Sequence, residues 1–117
     1  MKDGELQKRT RAFALEVISF VGLLPTTRTA DVLGRQLLRS ATSVGANYRS
    51  ACRGRSKADF INKLGMVEEE ADECVYWLDL IMDAELTKPS HVTKLSAEAN
   101  EITAMVVASI KSARRNA

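Results

Sequence analysis

Phe60, Leu64, Val67, Ala71, Cys74, Leu78 and Ile81 recur at spacings of four, three, four, three, four and three. A heptad seam sustained over three repeats stacks its apolar side chains along one helix face, and other helices must cover that face. Leu33 to Tyr48 adds a second constraint by writing two faces onto one helix. Leu33, Leu37, Ala41, Val44 and Tyr48 form an apolar stripe, while Arg35, Arg39, Thr42, Ala46, Arg49 and Arg53 follow the same rhythm two places out of phase. One side of that helix wants a core, and the other turns arginines outward.

Two further amphipathic patterns flank these. Leu6, Thr10, Phe13, Val17, Phe20 and Leu24 make the first helix, which is expected to stop near Leu24 because Pro25 disfavours helix in the residue before it. Thr29, with Asp31 two residues on, reads as the cap of the second helix, which continues to about Ala51 before Gly54 breaks it. Ser56 followed by Asp59 resembles a capping box and starts the third helix near Lys57. Thr87 to Ser90 form the last turn, with Ser90 as the expected cap. Val92, Leu95, Ala99, Ile102, Val106, Ser109 and Ala113 then carry the fourth helix. No segment alternates with the period of a strand. Short connections predict an all-α, antiparallel up-down-up-down four-helix bundle, a single domain over residues 1–117. The isolated glycines Gly34, Gly45 and Gly65 are expected to let helices approach closely rather than to cradle phosphate.

Charge is strongly segregated although the net value is only +2. From Arg28 to Arg55 six arginines stand against Asp31 alone; from Asp59 to Glu85 nine acids stand against Lys63 alone. A basic helix is therefore followed by an acidic one, and a small basic tail at Lys111, Arg114 and Arg115 closes the chain.

Several chemistries find no support. His91 is the only histidine, and the acids Glu68, Glu69, Glu70, Asp72 and Glu73 lack the Glu-x-x-His pattern of di-metal bundles, so no metal and no cofactor are expected. Ser40, Ser43 and Ser50 have no histidine to activate them, and no catalysis is expected. Cys52 and Cys74 match no zinc or redox spacing and read as small buried or half-buried free thiols in a reducing cytoplasm. No stretch has the length of a membrane span or the form of a signal peptide.

The third helix carries more apolar surface than one seam requires. Ile61, Val75, Tyr76, Trp77 and Met82 widen its arc, and consecutive helical residues diverge by about 100 degrees, so Tyr76, Trp77 and Leu78 cannot all point inward. Tyr76 and Trp77 are candidates for a subunit interface, and Trp77 alternatively caps the core beside the Leu24–Thr29 turn.

On the second helix, Arg39, Ser43 and Asn47 lie four residues apart, and serine and asparagine cost helix stability unless a partner binds them. Glu70 and Lys63 of the third helix are candidate partners. The functional alternative is an arginine surface for phosphates, built from Arg35, Arg39, Arg49, Arg53 and Arg55 with Lys57, since guanidinium groups bind phosphate bidentately and release counterions. A ring of subunits would multiply such contacts.

The run RSATSVGANYR, then Asp59-Phe60 with Lys63-Leu64, Glu69-Glu70 and Tyr76-Trp77-Leu78, closely resembles the 23S rRNA-intervening sequence protein family, also called the S23 ribosomal protein family, over essentially the whole chain. The resemblance implies an up-down-up-down bundle assembled as a closed five-subunit ring. It also implies relatives that bind nucleic acid as accessory proteins for reverse transcription in diversity-generating retroelements. Arg39, Ser43, Asn47, Lys63 and Glu70 align with the polar motif of that family. Ser50 departs from it: the family usually has an acid after the Asn-Tyr-Arg run, and losing that carboxylate makes the second helix more basic. The expectation is a cytoplasmic homopentamer that binds nucleic acid, RNA above all, through its second helix; the alternative is an oligomeric adaptor that recruits a protein through the acidic third helix.

Overall fold

The structure is a computed structural model and describes residues 4–116. Four helices, α1 (Glu5–Gly22), α2 (Arg28–Cys52), α3 (Lys57–Asp83) and α4 (Pro89–Arg115), account for nearly all of them, and no strand occurs among the described residues. Each helix packs against its neighbours in sequence, and α1 also packs against α4, so the four enclose one core. The body measures 49 × 22 × 19 Å. At 1.5 Å per residue a 27-residue helix such as α3 is about 40 Å long and runs most of that length.

The heptad seam of α3 is buried from Leu64 to Ile81, with Phe60 half-buried at its start. It meets Leu37, Ala41 and Val44 of α2, Phe13 and Val17 of α1, and Ile102 and Val106 of α4 in one cluster. On α2 the expected stripe shifts slightly. Leu33 and Tyr48 are half-buried at its margins, while Ala30, Gly34, Ser40 and Ala51 are buried. Cys52, the last residue of the helix, does not meet the expectation of burial and is exposed. On α4, Ile110 is buried, and Ser109 and Ala113 lie at the edge of the stripe.

The helix ends depart from expectation in instructive ways. α1 stops at Gly22, and three-residue turns from Leu23 to Phe20 and from Leu24 to Val21 finish it ahead of Pro25. The cap of α2 is Thr27, not Thr29: Thr27 has extended backbone, and its hydroxyl accepts the Ala30 amide at 3.2 Å. Ser56 caps α3 as expected by accepting the Asp59 amide at 3.0 Å. Asp59 does not complete the box; its carboxylate accepts the Arg55 amide at 3.3 Å instead. α4 starts at Pro89, one residue before the expected cap Ser90. Proline suits a first helical position, where its fixed φ fits and its missing donor is not needed.

α3 closes with Glu85 in the left-handed region at φ 58, the Leu86 amide donating to Ile81 carbonyl at 3.1 Å and the Glu85 amide to Met82 carbonyl at 2.9 Å. This is a Schellman ending, built without the glycine that usually occupies the left-handed position. The glycines play unequal parts. A methyl on Gly34 would lie 3.2 Å from Val21 and 3.3 Å from Leu24, so α1 and the turn after it approach closely there. Gly45 would make ordinary contacts with Thr10, and Gly65 faces open space, so the expected close approach holds at Gly34 alone.

Candidate nucleic-acid interface

The polar side of α2 divides into two regions with different chemistry. In the middle of the helix, Arg39 Nη1 donates to Glu70 Oε2 at 3.2 Å, and Arg39 Nη2 donates to Glu73 Oε1 and, at 3.1 Å, to Ser40 Oγ. Ser40 is fully buried, and its hydroxyl donates to the same Glu73 oxygen at 3.0 Å. From the other side the Trp77 indole donates to that oxygen at 3.2 Å. Helical periodicity makes the network possible, since Glu70, Glu73 and Trp77 succeed one another at three and four residues on the α3 face beside α2.

These contacts set the charges. The indole hydrogen bond, reinforced by Ser40 and Arg39, holds the Glu73 carboxyl below the ordinary glutamate range. Glu70 first, then Glu73, hold the Arg39 guanidinium above its ordinary value. Arg39 therefore ties α2 to α3 through two carboxylates. The Arg35 guanidinium donates to Asp31 at 3.0 Å one turn back, in a pair open to solvent.

Of the remaining polar-motif residues, Asn47 donates to the Ser43 carbonyl of its own helix at 2.9 Å, and Lys63 pairs with Asp59 at 3.5 Å. Glu70 is thus a partner of Arg39, as the spacing predicts, and Lys63 is not part of that network. Ser40 and Glu73 are the members that sequence reasoning missed. Both stood in plain view, Ser40 beside Arg39 and Glu73 one turn before Trp77, but only the packing of α2 on α3 shows that their oxygens meet.

The second region lies where α2 hands over to α3. Arg53 and Arg55 are exposed in the turn between the helices, and Arg49 is exposed one turn earlier. Lys57, at the start of α3, donates its ammonium to the carbonyl of Asn116, which draws the end of α4 alongside. A shallow groove between α3 and α4 is lined by Ala58, Ile61, Lys111 and Arg114 near the helix ends and by the acids Glu68 and Glu69 further along α3, and Arg115 borders a second depression with Phe60 and Asn116. Arg11 of α1 and Arg49 of α2 line a third, over Thr10 and Gly45. One end of the molecule therefore collects basic residues from all four helices. Among the described residues none of Arg11, Arg49, Arg53, Arg55, Lys111, Arg114 or Arg115 has an ion pair. Arg49 in the last turn of α2, and Arg114 and Arg115 in the last turn of α4, also sit where the helix dipole favours a cation.

Of the six residues expected to contact phosphate, the structure brings Arg49, Arg53, Arg55 and Lys57 together. Arg35 lies 18 positions before Arg53 on the same helix, about 27 Å away. The basic tail of α4 and Arg11 lie at the same end as these four. The expected interface residues Tyr76 and Trp77 lie near the opposite end of α3. Their rings meet edge to face at 5.0 Å, with Trp77 half-buried on the core and Tyr76 57% exposed. Among the described residues no group of three or more histidine, cysteine or acidic side chains could hold a metal ion. No helix is long and apolar enough to cross a membrane.

These features define a four-helix protein with a charged network at its waist and a cationic end. Residues 2–108 match the family described as 23S rRNA-intervening sequence protein, and the chain belongs to that family. It is similar to a crystal structure of a protein of unknown function from the S23 ribosomal protein family of Bacteroides thetaiotaomicron, with 33% identity, 91% of this chain and 98% of that chain covered, and a TM-score of 0.86. No curated protein matches.

Proposed function

We propose that this chain is a non-catalytic cytoplasmic protein that binds nucleic acid, RNA above all, through its basic end. The observation that carries the reading is that side chains from four helices converge there without carboxylate partners among the described residues. Like charges brought together by folding repel one another, and a polyanion relieves that repulsion while releasing its counterions. Arg49, Arg53, Arg55 and Lys57 make the contact with Arg11, Lys111, Arg114 and Arg115; Arg35 and Arg39 stand outside it.

The helices run antiparallel, up-down-up-down. In support, the residues nearest α2 move back along the chain from Val21 at Gly34 to Thr10 at Gly45, and the last described residue, Asn116, sits beside Lys57. The subunits form a homo-oligomer, five to a ring in keeping with the family resemblance, with Tyr76 at the interface. An aromatic ring 57% exposed supports that placement.

Fluorescence anisotropy with a structured RNA tests the binding. For about five phosphate contacts, affinity should fall about five-hundredfold between 50 and 200 mM salt. Arg53→Ala with Arg114→Ala should lower the salt slope by about 2, and Arg35→Ala should leave it unchanged. Absence of RNA binding at low salt would remove this reading and leave the adaptor, which the exposed acids Glu69, Asp72 and Asp79 of α3 favour. Sedimentation equilibrium tests assembly separately: a mass of 12.9 kDa at micromolar concentration would exclude the ring.

A further inference from the structure

Resting on the nucleic-acid reading above, we infer that the ligand of the basic end is a nucleic-acid double helix, held by its phosphate backbone, rather than a single strand. The argument turns on which side chains accompany the cations. Proteins that hold single strands combine a positive groove with aromatic faces on which the splayed bases stack. This chain has six aromatic residues, and Phe13 and Phe20 are buried in the core. Tyr48 and Phe60, the two nearest the basic end, are half-buried against the core, and Phe60 borders the depression beside Arg115 as a half-buried ring rather than an open one. The exposed ring, Tyr76, lies 19 positions beyond Lys57 on α3, about 29 Å away along the helix. It is also flanked by the exposed acids Asp72 and Asp79, which repel a phosphate backbone.

What the basic end offers is charge, and charge alone favours the polymer with the denser row of phosphates. A duplex carries two strands of phosphate along one axis, and its counterion release per contact, about 0.9, exceeds the roughly 0.7 of a single strand. Five contacts at 100 mM salt then separate the two by about tenfold. The cations also come from four helix ends across a face whose breadth is set by the 22 × 19 Å section of the molecule. They are spread over separate shallow depressions rather than along one continuous channel that tracks one strand. Without base contacts, the sequence of the duplex does not matter.

The test measures the full chain against a 20-base-pair RNA duplex, either of its component strands, and a single-stranded oligouridine, each across a salt titration. The expected result is a duplex bound about tenfold tighter than either strand at 100 mM salt, with a slope about 1.3 times steeper and no change on scrambling the duplex sequence. Phe60→Leu, which keeps an apolar side chain on the core, should leave all affinities within about twofold. A single strand bound as tightly as the duplex overturns the inference, and so does a tenfold loss of single-strand affinity in Phe60→Leu, which would reveal a stacked base. Failure of duplex and single strands alike to bind at low salt instead removes the underlying nucleic-acid reading.

Discussion

The indole of Trp77 donates its hydrogen to Glu73 at 3.2 Å, and that one contact links the half-buried aromatic of α3 to the buried Ser40 of α2 through a shared carboxylate oxygen. Sequence spacing alone pairs Trp77 and Glu73 as helical neighbours. It does not reveal that the oxygen between them also receives Ser40 and Arg39 from another helix. The carboxylate is the centre of the network, and its charge holds the donors in place.

Acid should therefore weaken the α2–α3 contact. A carboxyl held below its ordinary value stabilises the fold while ionised, so the contribution of Glu73 is in place above the ordinary 4.5 and is lost as pH falls below it, through the lower value of the folded state. Urea midpoints for the natural protein and Glu73→Gln should differ at pH 7, and the gap should narrow progressively as pH falls below 4.5. A gap that does not narrow would show that the carboxylate charge contributes nothing.

The two thiols should behave as opposites. Cys52 is exposed, while burial, with Glu70 and Glu73 adding to it, pushes the Cys74 thiol up to about 12. A thiol-specific reagent at pH 8 should label Cys52 at once and Cys74 only after urea unfolding. The same shift predicts stability falling as pH rises above the ordinary 9.0, because the unfolded chain then loses the proton that the folded chain keeps until about 12. Cys74→Ala should blunt that alkaline loss, seen as a flatter plot of urea midpoint against pH.

Glu85→Gly should stabilise the protein by about 1 kcal/mol, since a residue with a Cβ pays that much for the left-handed conformation that glycine adopts freely. Thermal denaturation reads the change.

Gly65→Ala should add about 1 kcal/mol through helix propensity, because the new methyl meets nothing within 4 Å. Gly34→Leu should cost stability, since its side chain would press on Val21 and Leu24, already 3.2 and 3.3 Å from where a methyl would sit. Equal effects at the two glycines would contradict the close approach at Gly34.

Removing Ser96 is the mildest change of this set. Its hydroxyl is buried with no hydrogen-bond partner, so Ser96→Ala should raise stability by up to about 1 kcal/mol in chemical denaturation.

Periodicity made the helices legible, because a face that must be buried repeats its apolar residues with the period of the helix. That is why the α3 seam emerged whole and why every arginine placed on the outward phase of α2 is exposed. Caps were less legible. Thr27 and Thr29 are chemically identical candidates, and only the extended backbone at Thr27 selects between them. At the start of α4, Pro89 supplied a ready-made first residue, and Ser90 was not needed as a cap.

The candidate site was half legible. Arg49, Arg53, Arg55 and Lys57 are close in sequence and stay close in space, whereas Arg11 and Arg114 join them only because α1 and α4 return to the same end. The charge of each residue, the length of each helix and the face it must bury are local properties, and the order of residues determined them. Which arginine meets a carboxylate across helices was decided by packing, which brings Glu70 and Glu73 of α3 to Arg39, whereas the Arg35–Asp31 pair is one turn apart on the same helix and is already written in the spacing.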